Sequence, residues 1–335
     1  PTGYLLNNEL FIRQITANGT VESVNTYNEP IVKESVIRGG VAIEKWDIEI
    51  NKAATSQGDA VLSGAVLEIV NRSDNAVVVG GKSYAPGPVV HTLTTDESCA
   101  AATANNLLPY GTYEIKEKKP PTGYLNTGEI SRTFEIRANG VTVSLTTENS
   151  VIKNDVIRGG LSIEKWDNEL NRSGDPQGDA SLAGAVFEII NRSQHSVVVD
   201  GAEYDPGEVV KTITTEEGGK VTTNNDPLPY GTYEVVEKTP PTGYLPTGVL
   251  KQTFSIREDG KIVELTSADT VIKNDVIRGG MEIHKWDIER NDTALKQGDA
   301  VLSGAVFDIF NTSKYSVLVD SVEYASGEVV VSLTT

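Results

Sequence analysis

The chain has 335 residues, 38% hydrophobic and 23% charged, which is enough for two or three domains with real cores. Its 47 Asp and Glu against 29 Lys and Arg give a formal charge of −18, which argues against nucleic acid and anionic lipid as partners. Cys99 is the single cysteine, so no disulfide forms within the chain, and no apolar run approaches the ~20 residues that span a bilayer.

Internal repetition organises the chain. Pro1-Thr-Gly-Tyr-Leu5 recurs from Pro121 and Pro241, and Val36-Ile-Arg-Gly-Gly40 from Val156 and Val276. Lys45-Trp-Asp47 recurs from Lys165 and Lys285, and Pro109-Tyr-Gly-Thr-Tyr113 from Pro229, every offset being 120 or 240. The phase predicts the end of a preceding module over 1–36, complete modules over 37–156 and 157–276, and the start of a following one over 277–335. A period of this length suits an autonomous domain rather than a solenoid unit. The link at Ile157-Arg-Gly-Gly160 is short and has no Ser- or Pro-rich spacer, so it should restrict bending. With no leader peptide at the start and no sorting signal at the end, the chain reads as a segment of a longer array.

Within the second copy the predicted elements, in order, are strands. Leu161–Asp167 and Ala185–Ile189 alternate apolar and polar residues, and Val197–Val199 and Glu208–Thr214 are rich in β-branched residues. Tyr233–Glu237, Thr253–Ile256, Ile262–Leu265 and Thr270–Asn274 follow, separated by clusters of Gly, Pro, Asn and Asp. No segment carries a helical period. About eight short strands in such a length predict an all-β protein, a tandem array of antiparallel β-sandwich modules.

Side chains alternate across a strand, so parity says which of them face the core. Lys165 shares a face with Leu161 and Ile163, as Lys45 does with Val41 and Ile43, and Lys285 with Met281 and Ile283. Glu237 shares a face with Tyr233 and Val235, and Glu117 with Tyr113 and Ile115. Asn274 lies with Ile272 and Val276, and Asn154 with Ile152 and Val156. Each complete module therefore buries a Lys, a Glu and an Asn. Buried charge is costly unless paired or neutralised. One reading is a Lys–Glu ion pair with an Asn hydrogen bond. The other is chemical: a desolvated Lys becomes a neutral nucleophile and a desolvated Glu a general acid. Attack on the Asn amide would then expel ammonia and leave an isopeptide bond.

These residues resemble the collagen-adhesin B-type, or SpaA-like pilin (prealbumin-like), repeat domains of Gram-positive surface proteins. The likeness rests on Lys165-Trp-Asp167, on the Leu-x-Gly-Ala-x-Phe run Leu182–Phe187, on the E-box-like run Gly231–Tyr244, and on the closing strand that ends in Asn274. It covers the whole chain. The resemblance implies a transthyretin-like, Ig-like sandwich, a self-formed Lys–Asn bond and a catalytic Glu. Carried over by position, the cross-links are Lys45–Asn154 and Lys165–Asn274, with Glu117 and Glu237 as the catalytic residues. Two departures stand out: Glu34 occupies the Asn position of the first fragment, and Lys285 is unpaired because its Glu and Asn strands are not in this chain.

The implied function is a structural shaft, or stalk, of a cell-surface adhesin or fimbrial protein. It would lie outside the cell, at the cell wall of a Gram-positive bacterium, with neighbouring modules of the same array as partners. The alternative is a set of ligand-binding adhesion modules that recognise a host surface protein or glycan. Nothing beyond the self-consuming trio reads as an enzyme, and no cofactor or metal is called for: His91, His195 and His284 fall at unrelated positions of the repeat. Of the weaker signals, Gln57-Gly-Asp59, Gln177-Gly-Asp179 and Gln297-Gly-Asp299 read as turns, and Trp46, Trp166 and Trp286 as outward-facing residues. Asn191-Arg-Ser193 reads as a glycosylation acceptor in a suitable host, and Cys99, at the place of Gly219, as a free surface thiol.

Overall fold

The computed structural model describes residues 1–10, 12, 14–15, 17–19, 33–291 and 296–335. The fragments predicted over 1–36 and 277–335 therefore fall partly outside the described residues. The chain divides into two units, Pro1–Ile157 and Arg158–Thr335. Each holds one complete sandwich, and no helix of the described residues is long and apolar enough to cross a membrane.

The first sandwich is built from twelve strands: β1 (Arg38–Asp47), β2 (Val66–Asn71), β3 (Val77–Val79), β4 (Lys82–Tyr84), β5 (Val89–Thr94), β6 (Ala100–Ala102), β7 (Leu108–Pro109), β8 (Gly111–Lys119), β9 (Tyr124–Glu129), β10 (Ser131–Ile136), β11 (Thr142–Leu145) and β12 (Ile152–Val156). One sheet has the order β11-β1-β12-β9, with β6 and β7 also on β1, and the other has the order β10-β8-β2-β5. β3 and β4 form a separate hairpin. The second sandwich repeats this plan from Arg158–Asp167 to Ile272–Val276.

β1 is longer than its neighbours and organises its sheet. It pairs parallel with β11 and β12 and antiparallel with β6 and β7. The sheet is therefore mixed, a refinement of the antiparallel expectation. Hydrophobic alternation sets which face a strand buries and leaves its pairing partner open. The extra strands are mostly the two- and three-residue pieces β4, β6 and β7, and the polar Tyr124–Glu129, all too short or too polar to signal by pattern.

The apolar sets meet between the sheets. Val41, Ile43, Leu67, Ile69, Tyr113, Ile115, Phe134 and Ile152 are all buried. Tyr113 stacks on Phe134 at 5.6 Å between centroids, and its hydroxyl donates to the Pro109 carbonyl at 2.9 Å. Repeated Gly39-Gly40 follows from backbone contact: a Cβ on Gly39 would lie 2.7 Å from the Val141 oxygen, and one on Gly40 2.6 Å from the Ala104 oxygen. This close approach lets β1 lie against the loops that precede β7 and β11.

Candidate functional site

Lys45 comes late on β1, where parity puts it behind Val41 and Ile43, and it is fully buried. β12 lies parallel to β1 with Lys45 opposite Ile152 and Asp47 opposite Asn154. Lys45 and Asn154 are thus diagonal neighbours on one face, a separation that long side chains cross. The partner β9 bulges beside Asn154 through Gly128, whose φ is +95° and whose added Cβ would lie 2.9 Å from the Lys153 oxygen. Glu117 comes from β8 in the opposite sheet, with its side chain fully buried.

The three side chains converge as parity implied. Lys45 Nζ lies 3.4 Å from Glu117 Oε1, and Asn154 Nδ2 donates to Glu117 Oε2 at 2.6 Å and to the Thr127 carbonyl at 3.2 Å. In the second sandwich Lys165 Nζ lies 3.7 Å from Glu237 Oε1. There Asn274 Nδ2 donates to Glu237 Oε2 at 2.7 Å and to the Thr247 carbonyl at 3.2 Å. Two sequence-identified trios, 120 residues apart, thus share one geometry.

The electrostatics follow from burial. Desolvation pushes the Lys45 and Lys165 ammonium groups down to about 8, against the opposing pull of Glu117 and Glu237. Desolvation likewise raises the Glu237 carboxyl, countered by Lys165 and the Asn274 hydrogen bond. The lysine nitrogens, Oε1 of each Glu and Oδ1 of each Asn are buried without a hydrogen-bond partner among the described residues. A buried ion pair is stabilising only when its remaining donors and acceptors are satisfied, and here they are not.

Each Glu approaches the nitrogen end of the Asn amide. As a general acid toward the carbonyl it would sit on the amide oxygen, but its Oε2 sits on the amide nitrogen. The Thr127 and Thr247 carbonyls decide this orientation, because they need a donor and only Nδ2 can supply it. The arrangement can therefore deliver a proton to the nitrogen that leaves.

Among the described residues, Lys285 is not brought to any such site. It is exposed and outside any strand, and neighbouring Met281 and Trp286 are 60% and 50% exposed. Without sandwich partners, its alternating pattern has no core to face. Glu34 is half-buried and, among the described residues, likewise joins no trio.

A second buried cluster escaped sequence reasoning. Asp47, two residues after Lys45 on the same face, is fully buried. It accepts from Gln57 Nε2 at 3.1 Å, the Tyr124 hydroxyl at 3.0 Å, and the backbone N–H groups of Glu49 and Ile50 at 2.8 and 2.9 Å. Burial pushes the Asp47 carboxyl up and these donors pull it back, while burial beside Asp47 keeps the Tyr124 hydroxyl protonated. Asp167, Gln177 and Tyr244 repeat the cluster. The parity of Asp47 and the recurrence of Gln and Tyr at fixed offsets were the available signals.

Trp46 and Trp166 lie on the outward face, each donating from Nε1 to Glu44 or Glu164 at 2.9 Å. Asn191 is fully buried, with Nδ2 donating to the His195 and Tyr204 carbonyls, so it is a turn-holding residue and not an exposed glycan acceptor. Cys99 is half-buried, its φ is +62°, and burial raises its thiol, so it is not an exposed surface thiol.

The SpaA prealbumin-like fold domain matches this chain twice, over residues 46–151 and 172–270. Among solved structures, the Bacillus anthracis TIE protein is similar at 23% identity over 90% of this chain, with a TM-score of 0.49. The chain spans 42% of the length of that protein. A Streptococcal ancillary pilin is 23% identical over 78% of this chain and 73% of its own, with a TM-score of 0.29. The shaft pilin SpaA from Lactobacillus rhamnosus GG is 17% identical over 73% of this chain and 100% of its own, with a TM-score of 0.26. No curated protein matches the chain.

Proposed function

The chain belongs to the family of SpaA prealbumin-like fold domains, and from that premise we propose that it is a shaft segment of a Gram-positive cell-surface adhesin or fimbrial protein. Its complete modules span 37–156 and 157–276, flanked by parts of modules over 1–36 and 277–335, and its partners are neighbouring modules of the same array. Each complete module is held by a self-formed isopeptide bond, Lys45–Asn154 or Lys165–Asn274. The observation that carries this reading is the buried Lys–Glu–Asn trio, whose facing atoms are left without hydrogen bonds in both modules.

The chemistry balances within the trio. Neutral Lys165 Nζ attacks Cγ of Asn274, and a new C–N bond forms. Protonated Glu237 gives its proton to Nδ2, the old C–N bond breaks and ammonia leaves. The carboxylate then takes the surplus proton from Nζ, which restores the acid. The reaction occurs once per module, so the protein is not an enzyme in the turnover sense.

The reactive state holds one proton between Lys165 and Glu237. As pH rises past about 8 Lys165 gives up the shared proton, leaving no acid; at low pH both groups are protonated, leaving no nucleophile. Ammonia release on refolding should therefore be fastest at neutral pH and slow as pH rises past about 8. Following bond formation by mass over a pH series checks this, and a rate still climbing well above that value would contradict it.

Because Lys165 is on the first strand and Asn274 on the last, tension entering along either strand passes through the bond. Freeing the roughly 110 residues between them would lengthen the chain by about 360–390 Å. Pulling single molecules from their ends should show no steps of that length from the two complete modules. Such steps would argue against a load-bearing shaft.

A further inference from the structure

We propose that the loop Gln177-Gly178-Asp179 is a docking site whose occupant is a further copy of this repeat, held by its backbone. The inference deepens the reading of the chain as an array and names the surface by which one repeat takes the next. Within the unit Arg158–Thr335 the occupant is the segment Lys314–Leu318, just before and within the strand Val317–Val319.

Four hydrogen bonds define the joint. Gly178 N–H donates to the Ser316 carbonyl at 3.0 Å, and Tyr315 N–H donates to the Gly178 carbonyl at 3.0 Å. Lys314 N–H donates to Asp179 Oδ1 and Leu318 N–H to Gln177 Oε1, each at 2.9 Å. Arg172 reaches Glu323 with two bonds of 3.1 and 2.7 Å, and Arg278 bridges Glu169 and the Leu318 carbonyl at 2.5 and 2.8 Å. Every group the loop reads on its occupant is main chain. The equivalent segments Asp74–Val78 and Gln194–Val198 differ from Lys314–Leu318 in most side chains, and a backbone reader tolerates this.

The loop is set for docking by its own repeat. Gln177 Nε2 donates to both oxygens of Asp167 at 3.1 Å and to Glu169 Oε2 at 2.8 Å. With its N–H groups held by carboxylates, the amide must turn its oxygen outward as a fixed acceptor. Gln57 is held the same way by Asp47 and Glu49, and Gln297 by Asp287 and Glu289. The amide is therefore clamped between an Asp and a Glu in all three copies, including the one whose sandwich is incomplete. Asp167 lies two residues beyond Lys165, so Gln177 ties the strand of the proposed cross-link to the next repeat.

Hydrogen exchange on the full chain tests the proposal. Asp179 is exposed and outside the buried cluster, so Asp179→Ala removes one acceptor and little else. It should speed exchange of the Lys314 amide roughly tenfold, and Gln177→Leu should do the same at Leu318. The ladder amides between Val317–Val319 and Val322–Tyr324 should keep their protection. Unchanged exchange at both Lys314 and Leu318 would overturn the docking site. So would an equal rise throughout the ladder, which would mean loss of the hairpin rather than undocking. Intact mass reports the cross-link separately: a full sequence mass with altered Lys314 exchange would sink the isopeptide reading and leave the joint standing.

Discussion

The folded chain should weigh less than its sequence by two ammonia molecules. Each complete sandwich carries one trio, and on the proposed chemistry each trio should join a lysine to an asparagine with loss of one ammonia. Lys285 and Glu34 should add nothing, since neither is brought into a trio. The kind of mass lost is diagnostic. A bond from Lys165 to Asp275 would release water, and Asp275 instead faces outward, where Asn168 Nδ2 donates to it at 2.8 Å. Tandem mass spectrometry should therefore place the links at Lys45–Asn154 and Lys165–Asn274. An unshifted mass would leave only the buried ion pairs, with their unpaired nitrogens and oxygens unexplained. The energetic consequence is large. By analogy with a disulfide, closing a loop of over 100 residues removes freedom from the unfolded chain worth about 4–5 kcal/mol. That matters in a protein whose single cysteine allows no internal disulfide.

The trio was legible because strand parity has period two and three polar residues broke it. Lys45 among Val41 and Ile43, Glu117 among Tyr113 and Ile115, and Asn154 among Ile152 and Val156 each mark a polar side chain on an apolar face. Three such exceptions in each of two copies imply a common site. What stayed hidden has no parity. Gln57 sits in a turn and Tyr124 opens a mostly exposed strand, so neither declared itself buried, yet both close on Asp47. The parallel pairing of β1 with β12 was equally silent, although it is what sets Lys45 diagonal to Asn154. The repeat itself carried that information only as a fixed distance along the chain. The placement of Glu117 on the amide nitrogen depended on Thr127, a backbone acceptor that no side-chain pattern reveals.

Glu237→Ala should halve the mass deficit, from two ammonia molecules to one. The substitution removes the proton carrier of the second sandwich while Lys165 stays on the first strand and Asn274 on the last. Its side chain is 1% exposed and bridges the two sheets, so its loss leaves Lys165 Nζ without its counter-charge. Breaking a buried pair costs about 3–5 kcal/mol if the charge must remain, but this lysine already loses its proton readily, pushed down to about 8 by burial. It can go neutral instead, which limits the damage. The apolar core of Leu161, Ile163, Phe187, Tyr233, Val235 and Phe254 does not depend on the carboxyl, so the sandwich should still fold. Without the bond it should unfold with a lower Tm, having lost the loop closure worth about 4–5 kcal/mol. The first sandwich is the internal control. Glu117 is untouched, and its contacts to Lys45 and Asn154 all lie within the unit Pro1–Ile157. Its link should survive and supply the one ammonia still missing. A deficit that stays at two would show that the amine attacks without Glu237, and its role as proton carrier would have to be abandoned.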